Sequence, residues 1–200
     1  MYGVTVPVLR DLAKRICKED WRSFLKEPSS SYEESMLRAL VISGAKMSTE
    51  KRLEYSRSFI PEITNWALCD IFCCNWDIKK QEKEKLWDYC LELMKTNDEF
   101  MMRVSAIMLL VHFIDDRYIN SVLDLLSTSY HEGYYYKMGS AWALSVCFIK
   151  YPEKTEPYLF APSLDKEIRN KAIQKICDSY RVEKEKKEEL RKKKAALFPK

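Results

Sequence analysis

One pattern runs the length of this chain. Apolar positions recur at helical spacing for a few turns, a capping residue or a proline breaks them, and the pattern begins again. After Thr5 and Pro7 the stripe is Val8, Leu9, Leu12, Ala13 and Ile16, and proline in a first turn lacks only an N–H that a helix start leaves unbonded anyway. A short helix is expected from Trp21 to Leu25. Pro28 and the serines after it then break the chain before a helix from Tyr32 to Ser43. Ser48-Thr49-Glu50 opens the next, which stops before Pro61, and Thr64 or Asn65 can cap a helix through Cys73. Further helices are predicted over Lys79 to Met94, Glu99 to Phe113, and Arg117 to Leu126 behind Asp115 and Asp116. Tyr134 to Ile149 follows, ended by Pro152, then a turn of helix at Glu156 to Leu159. Ser163 or Asp165 caps a helix to Ser179, and Glu183 to Ala196 is a charged terminal helix.

Neither period-two alternation nor density of β-branched residues persists anywhere, so no sheet is expected. Four glycines and seven prolines in 200 residues suit helices joined by short turns. Long apolar helices alternate with shorter ones every few tens of residues. One such pair cannot bury its face alone, and stacking pairs solves the problem. The expected fold is therefore all-α, an alpha-alpha superhelix (solenoid) of HEAT-like helix pairs. Residues 1–180 form the repeat domain and residues 181–200 a charged C-terminal helix and tail.

The formal charge of +4 is unevenly placed. Residues 181–200 hold nine Lys/Arg against four Glu, which leaves 25 basic and 26 acidic residues in 1–180. Bulk charge is no argument for nucleic acid, and a basic face would have to supply it. The start of the chain lacks a basic region followed by an apolar run, and the longest apolar runs are too short to span a bilayer, so no signal peptide and no membrane partner are expected. A cytoplasmic location is the default. The seven cysteines are odd in number and without a repeated pairing interval. They read as small hydrophobes in a reducing compartment. Cys69, Cys73 and Cys74 cluster, but no second Cys/His pair has ligand spacing, so neither a metal nor another cofactor is predicted.

A few residues are out of place among their neighbours. Trp66 and Asp70, four apart, share a helix face. Asp70 sits in an otherwise apolar run, where a carboxylate is costly to bury unpaired. It either accepts hydrogen bonds from a neighbouring helix or an arginine, or it has chemistry to do. Arg103 shares a face with Ala106 and Ile107, which suggests partial burial with a partner or a fork aimed at a phosphate, with a plain solvated arginine as the alternative. Trp142 lies among small residues and by itself reads as core. The spacing links them: 33 positions from Asp70 to Arg103 and 39 from Arg103 to Trp142, close to a HEAT-type period. Equivalent positions on successive inner helices would face one concave surface. A carboxylate, an arginine and two indoles together suit a cationic substrate on DNA. The carboxylate favours positive charge developing on a sugar, the indoles attract a cation or pack on the backbone, and the arginine holds a phosphate. Lys171 and Lys175 on one face, Arg169 near them, and Lys137 and Lys150 at the ends of the preceding long helix are candidate phosphate contacts, or else ordinary solvated surface. Tyr134, Tyr135 and Tyr136 can edge a groove or fill a repeat interface. The Arg191-Lys192-Lys193-Lys194 cluster is the strongest local charge.

These segments, in this order, resemble the DNA alkylation repair proteins, the HEAT-like repeat DNA glycosylases. The resemblance rests on Gly3-Val4-Thr5-Val6-Pro7, Asn65-Trp66-Ala67-Leu68-Cys69-Asp70, Arg103-Val104, Tyr135-Tyr136-Lys137-Met138 leading to Ala141-Trp142-Ala143-Leu144-Ser145, and Ile173-Gln174-Lys175 with Ser179-Tyr180-Arg181. It implies excision of cationic lesions, chiefly 3-methyladenine and 7-methylguanine, from double-stranded DNA in base excision repair without base flipping. It also implies that Asp70 matches the catalytic aspartate, Trp66 and Trp142 the cleft aromatics, and Arg103 the phosphate-contacting arginine. Three positions depart from the active branch: Ala67 where another aspartate is usual, Asn65 for an aromatic, and Ser145 for a phosphate-binding arginine. The chain thus looks closer to a less characterised branch, and its start matches a family segment that usually follows one or two further helices, so a shortened N-terminus is expected.

The expected function is a monomeric DNA-alkylpurine N-glycosylase, nucleoid-associated when on DNA. Two other classes compete. A noncatalytic DNA-binding module would keep the basic positions without needing Asp70, and a protein-interaction scaffold would scatter its lysines away from any cleft.

Overall fold

The computed structural model describes residues 2–197. Among them the chain forms twelve α-helices and no strand. It divides after Leu93 into two compact units. Several helices start on a capping side chain. Ser31, Ser48, Asn65, Asp98 and Asp165 all stand at N-caps with a side-chain oxygen accepting a backbone N–H of the first turn, each such cap contributing about 1 kcal/mol.

The first unit contains α1 (Val6–Lys18), α2 (Trp21–Phe24), α3 (Tyr32–Gly44), α4 (Thr49–Phe59), α5 (Trp66–Cys73) and α6 (Lys83–Met94), with single 3₁₀ turns at Ile60–Glu62 and Lys80–Glu82. Helix α3 lies between α1 and α5 and also packs on α4. Its buried side, with Leu37, Leu40 and Val41, supplies much of this core. The α4–α6 contact is polar as well as apolar: the Tyr89 and Ser56 hydroxyls hydrogen-bond at 2.8 Å, and Arg57 reaches Glu92 at 2.7 Å. Arg52 is buried on α4 and donates to the carbonyls of Ser43 and Ala45, which satisfies the open end of α3. At the chain's start, Gly3 has φ +73°, the left-handed region that glycine enters freely, and the N–H groups of Tyr2 and Gly3 both donate to Glu33 at 2.7 and 2.8 Å.

The second unit contains α7 (Glu99–His112), α8 (Ile119–Thr128), α9 (Tyr134–Lys150), α10 (Pro152–Leu159), α11 (Lys166–Asp178) and α12 (Lys184–Leu197). Helix α9 is its centre, packed between α7 and α11 and covered by α8 and α10, while α12 lies on α11. Helices α3, α5, α7, α9 and α11 begin at residues 32, 66, 99, 134 and 166. That regular interval, each long helix followed by a covering one, is HEAT-like pairing, and the all-α expectation holds.

Two local expectations need correction. Pro152 ends α9 but also begins α10, an eight-residue helix where a single turn was expected; the ring that cannot continue one helix suits the first turn of the next. Helix α8 begins at Ile119 rather than Arg117, because Asp115 caps a tight turn, accepting from the N–H groups of Arg117 and Tyr118, before the helix is under way.

Candidate functional site

Trp66 and Asp70 occupy the first and fifth positions of α5. Asn65 fixes the start of this helix: its Oδ1 accepts the Leu68 N–H at 3.1 Å and the Tyr32 hydroxyl at 3.2 Å. The helix is apolar on its other face, where Leu68, Cys69, Phe72 and Cys73 are fully buried. That burial leaves Trp66 turned outward, 60% exposed, with Asp70 half-buried one turn along the same face. An indole that large in solvent is unusual for a core residue. Beneath Asp70, burial pushes the Cys73 thiol up, and the nearby Cys69 thiol and Asp70 carboxylate act in the same direction. The Cys69 and Cys73 sulfurs lie 4.0 Å apart. Among the described residues no three His, Cys, Asp or Glu side chains gather to hold a metal ion.

In the second unit Arg103 is also the fifth residue of its helix, the same register as Asp70 in α5. It is 3% exposed and donates to the Tyr135 carbonyl at 2.7 Å. One turn earlier on α7, Glu99 accepts the Tyr135 N–H. The two α7 side chains therefore hold both backbone polar groups of one residue, Tyr135, in the first turn of α9. Gly133 makes this possible, since a Cβ there would lie 2.3 Å from Glu99 Cδ. Phe100 packs on Tyr135 at a ring separation of 5.1 Å, and Tyr134 beside them is exposed. Glu99 drew no attention in the sequence; the signal available was a glycine just before a tyrosine run, one repeat interval after it.

Trp142 is half-buried and is the ninth residue of α9, one turn beyond the register shared by Asp70 and Arg103. The 39-residue interval that suggested equivalence therefore contains an extra helical turn. Met138 and Asn170 hold the corresponding fifth positions in α9 and α11.

The basic candidates separate into two kinds. Lys137 is buried and binds Glu167 at 2.6 Å, with Asp165 at 3.9 Å, and the Glu167 contact raises its pKa further. Arg169, 6% exposed, donates to the carbonyls of Leu159, Ala161 and Leu164 at 2.7 to 3.0 Å, tying down the loop between α10 and α11. Lys150 donates to the Ile114 carbonyl at 2.6 Å. Lys171 and Lys175 are different. Lys175 is exposed, and Lys171 is half-buried and donates to the Gln174 amide oxygen at 3.2 Å. Lys171 also borders a cavity of about 460 Å³ shared with Tyr134, Asn170 and Lys194.

Residues 1–176 match the model of a family described as DNA alkylation repair enzyme. The chain belongs to the DNA alkylation repair enzyme family. No curated protein and no solved structure matches it. The family match spans α1 to most of α11, so the first unit, most of the second and every candidate residue lie within it. Trp66 and Asp70 put an indole and a carboxylate on one face of α5, and Lys171 and Lys175 put two cations on α11. Helix α12 lies outside the matched segment.

Proposed function

We propose that the chain is a DNA glycosylase hydrolysing the N-glycosidic bond of alkylated, positively charged purines in double-stranded DNA. The observation that carries this reading is the half-buried Asp70 carboxylate one turn from an exposed Trp66, in a chain matched by the DNA alkylation repair enzyme family over residues 1–176.

In this reading the C1′–N bond breaks and its electron pair leaves with the base. An alkylated purine already carries positive charge, so departure neutralises it and the positive charge passes to the sugar. Asp70 stabilises that cation, or positions the water that adds to C1′ and then loses a proton. An electrostatic role of this kind requires only that the carboxylate stay ionised near the sugar. Trp66 offers a flat apolar surface with a negative π face, which attracts a cationic nucleoside or packs on the sugar. Lys171 and Lys175 contact phosphates. Arg103 acts by holding the start of α9, with Trp142 further along that helix. Glu99, bonded to the N–H of the same residue whose carbonyl Arg103 holds, is a positioning residue of the same kind. The products are the free base and an abasic site.

Release of methylated purines from alkylated duplex by the wild type, and loss of release in Asp70→Asn with duplex binding retained, tests the reading. Duplex binding without release by the wild type would favour a noncatalytic DNA-binding member.

A further inference from the structure

The first unit carries a concavity that none of the candidate residues above touches. One wall is a face of α1, where Arg10, Lys14 and Lys18 follow at i, i+4 and i+8 and so rise about 6 Å from one to the next. Lys46, on the loop after α3, lines the same cavity of about 550 Å³, whose apolar lining includes Leu40 and Cys17. Among the described residues no carboxylate lines it.

Several other cations of this unit are engaged. Arg57 binds Glu92, Lys85 binds Glu50, and Arg52 is taken up by carbonyls. Around the cavity the charges are less fully compensated. Lys18 and Lys46 have no ion-pair partner among the described residues. Lys14 meets Asp11 at 3.0 Å, but both side chains are about three-quarters exposed, where such a pair contributes little. Arg10 donates to the Asn75 amide oxygen at 2.7 Å, a neutral acceptor that fixes the guanidinium without cancelling its charge. Burial pushes the Cys17 thiol up, so the lining stays neutral as well. Complementing the C-terminal end of α1 accounts for Lys18 but not for Arg10 and Lys14, which lie one and two turns earlier.

We infer that this groove binds the phosphodiester backbone of a nucleic-acid strand. The cations extend over about 12 Å along α1, longer than a single phosphate and suited to anions repeated along a chain. Four like charges around an acid-free concavity repel one another until an anion enters, and each phosphate neutralised releases condensed counterions. The inference rests on the reading of this protein as a DNA-binding one and adds a second contact region, on a unit where sequence reasoning placed no cation.

The test is binding of a short fluorescent duplex across a salt series by the wild type and by Lys14→Gln/Lys18→Gln/Lys46→Gln. The three side chains are exposed, so the melting temperature should not change. The triple variant should bind about tenfold or more weakly at low salt, with a salt slope shallower by about 2 to 3, since each lost phosphate contact removes about 0.9. The matching triple arginine variant should keep both affinity and slope. A triple glutamine variant that binds with the wild-type affinity and slope would overturn the groove while leaving DNA binding intact. A wild type that binds no duplex at low salt would overturn both together.

Discussion

Arg103 lies against Gly139. A Cβ built on Gly139 would sit 3.2 Å from Arg103 Cγ and 3.3 Å from its Nη1, the nitrogen that donates to the Tyr135 carbonyl. The bare face of one helix is what lets a buried guanidinium reach the backbone of that helix. Gly139→Ala should therefore be destabilising, although alanine favours a helix by about 1 kcal/mol over glycine. Overpacking costs about 1 to 3 kcal/mol, and Arg103 cannot yield without losing its carbonyl. A net loss of about 1 kcal/mol is expected, read as a lower urea midpoint at unchanged slope. A midpoint at or above the wild type would mean that Arg103 has room to shift.

Arg169 provides a sharper separation of structural from DNA-contacting cations. Arg169→Met removes the guanidinium from the carbonyls of Leu159, Ala161 and Leu164, of which Ala161 keeps the Leu164 N–H, and the expected loss is about 2 kcal/mol or more. Arg169→Lys should recover little of it, because a point ammonium does not reproduce the guanidinium fork. Duplex affinity, measured where the variants remain folded, should change much less than stability does.

Lys171→Gln/Lys175→Gln should show the opposite pattern. Neither side chain has an ionic partner among the described residues, so thermal unfolding stays at the wild-type temperature. Duplex binding weakens and its salt slope becomes shallower by about 2. A pure stability effect with unchanged slope would remove these lysines from the interface.

The attachment of α12 should be acid-sensitive. Hydrogen bonds from Lys186 and Lys193 hold the Glu189 carboxyl at about 2, down from an ordinary 4.5. The same two lysines bind Glu156 of α10 and keep its carboxyl low despite the opposing effect of burial. A carboxylate with a depressed folded-state pKa stabilises the fold above its unfolded value, and that contribution is lost as pH falls through the folded value. Hydrogen exchange at Leu190, buried beneath this network, should accelerate as pH drops from about 4.5 toward 2, more than the pH dependence of intrinsic exchange accounts for. The effect should be smaller in high salt.

The helical architecture was legible because its determinants are local: caps such as Ser48 and Asn65, prolines at first turns, and apolar stripes all act within a few residues. The roles of charged side chains were less legible, because their partners are distant in sequence or are backbone atoms. Lys137 looked like a phosphate contact, yet its anion is Glu167, thirty residues on. Arg169 looked the same, but its acceptors are carbonyls, which no sequence displays. Asp70 and Arg103 do share a helix register, while Trp142 stands a turn beyond it, since a residue count between helices cannot tell loop length from position along a helix. The α1 cations were visible at 10, 14 and 18, but only the fold adds Lys46 and leaves acids out of the cavity.

The most direct test of the central claim is a single-turnover assay on duplex DNA carrying 7-methylguanine or 3-methyladenine, comparing the wild type with Asp70→Asn at saturating protein. The account predicts base release by the wild type, a fall of at least about a hundredfold in the variant, and matching duplex affinities for the two. Equal rates of release from both proteins, or no release from a folded wild type that binds the duplex, would contradict it.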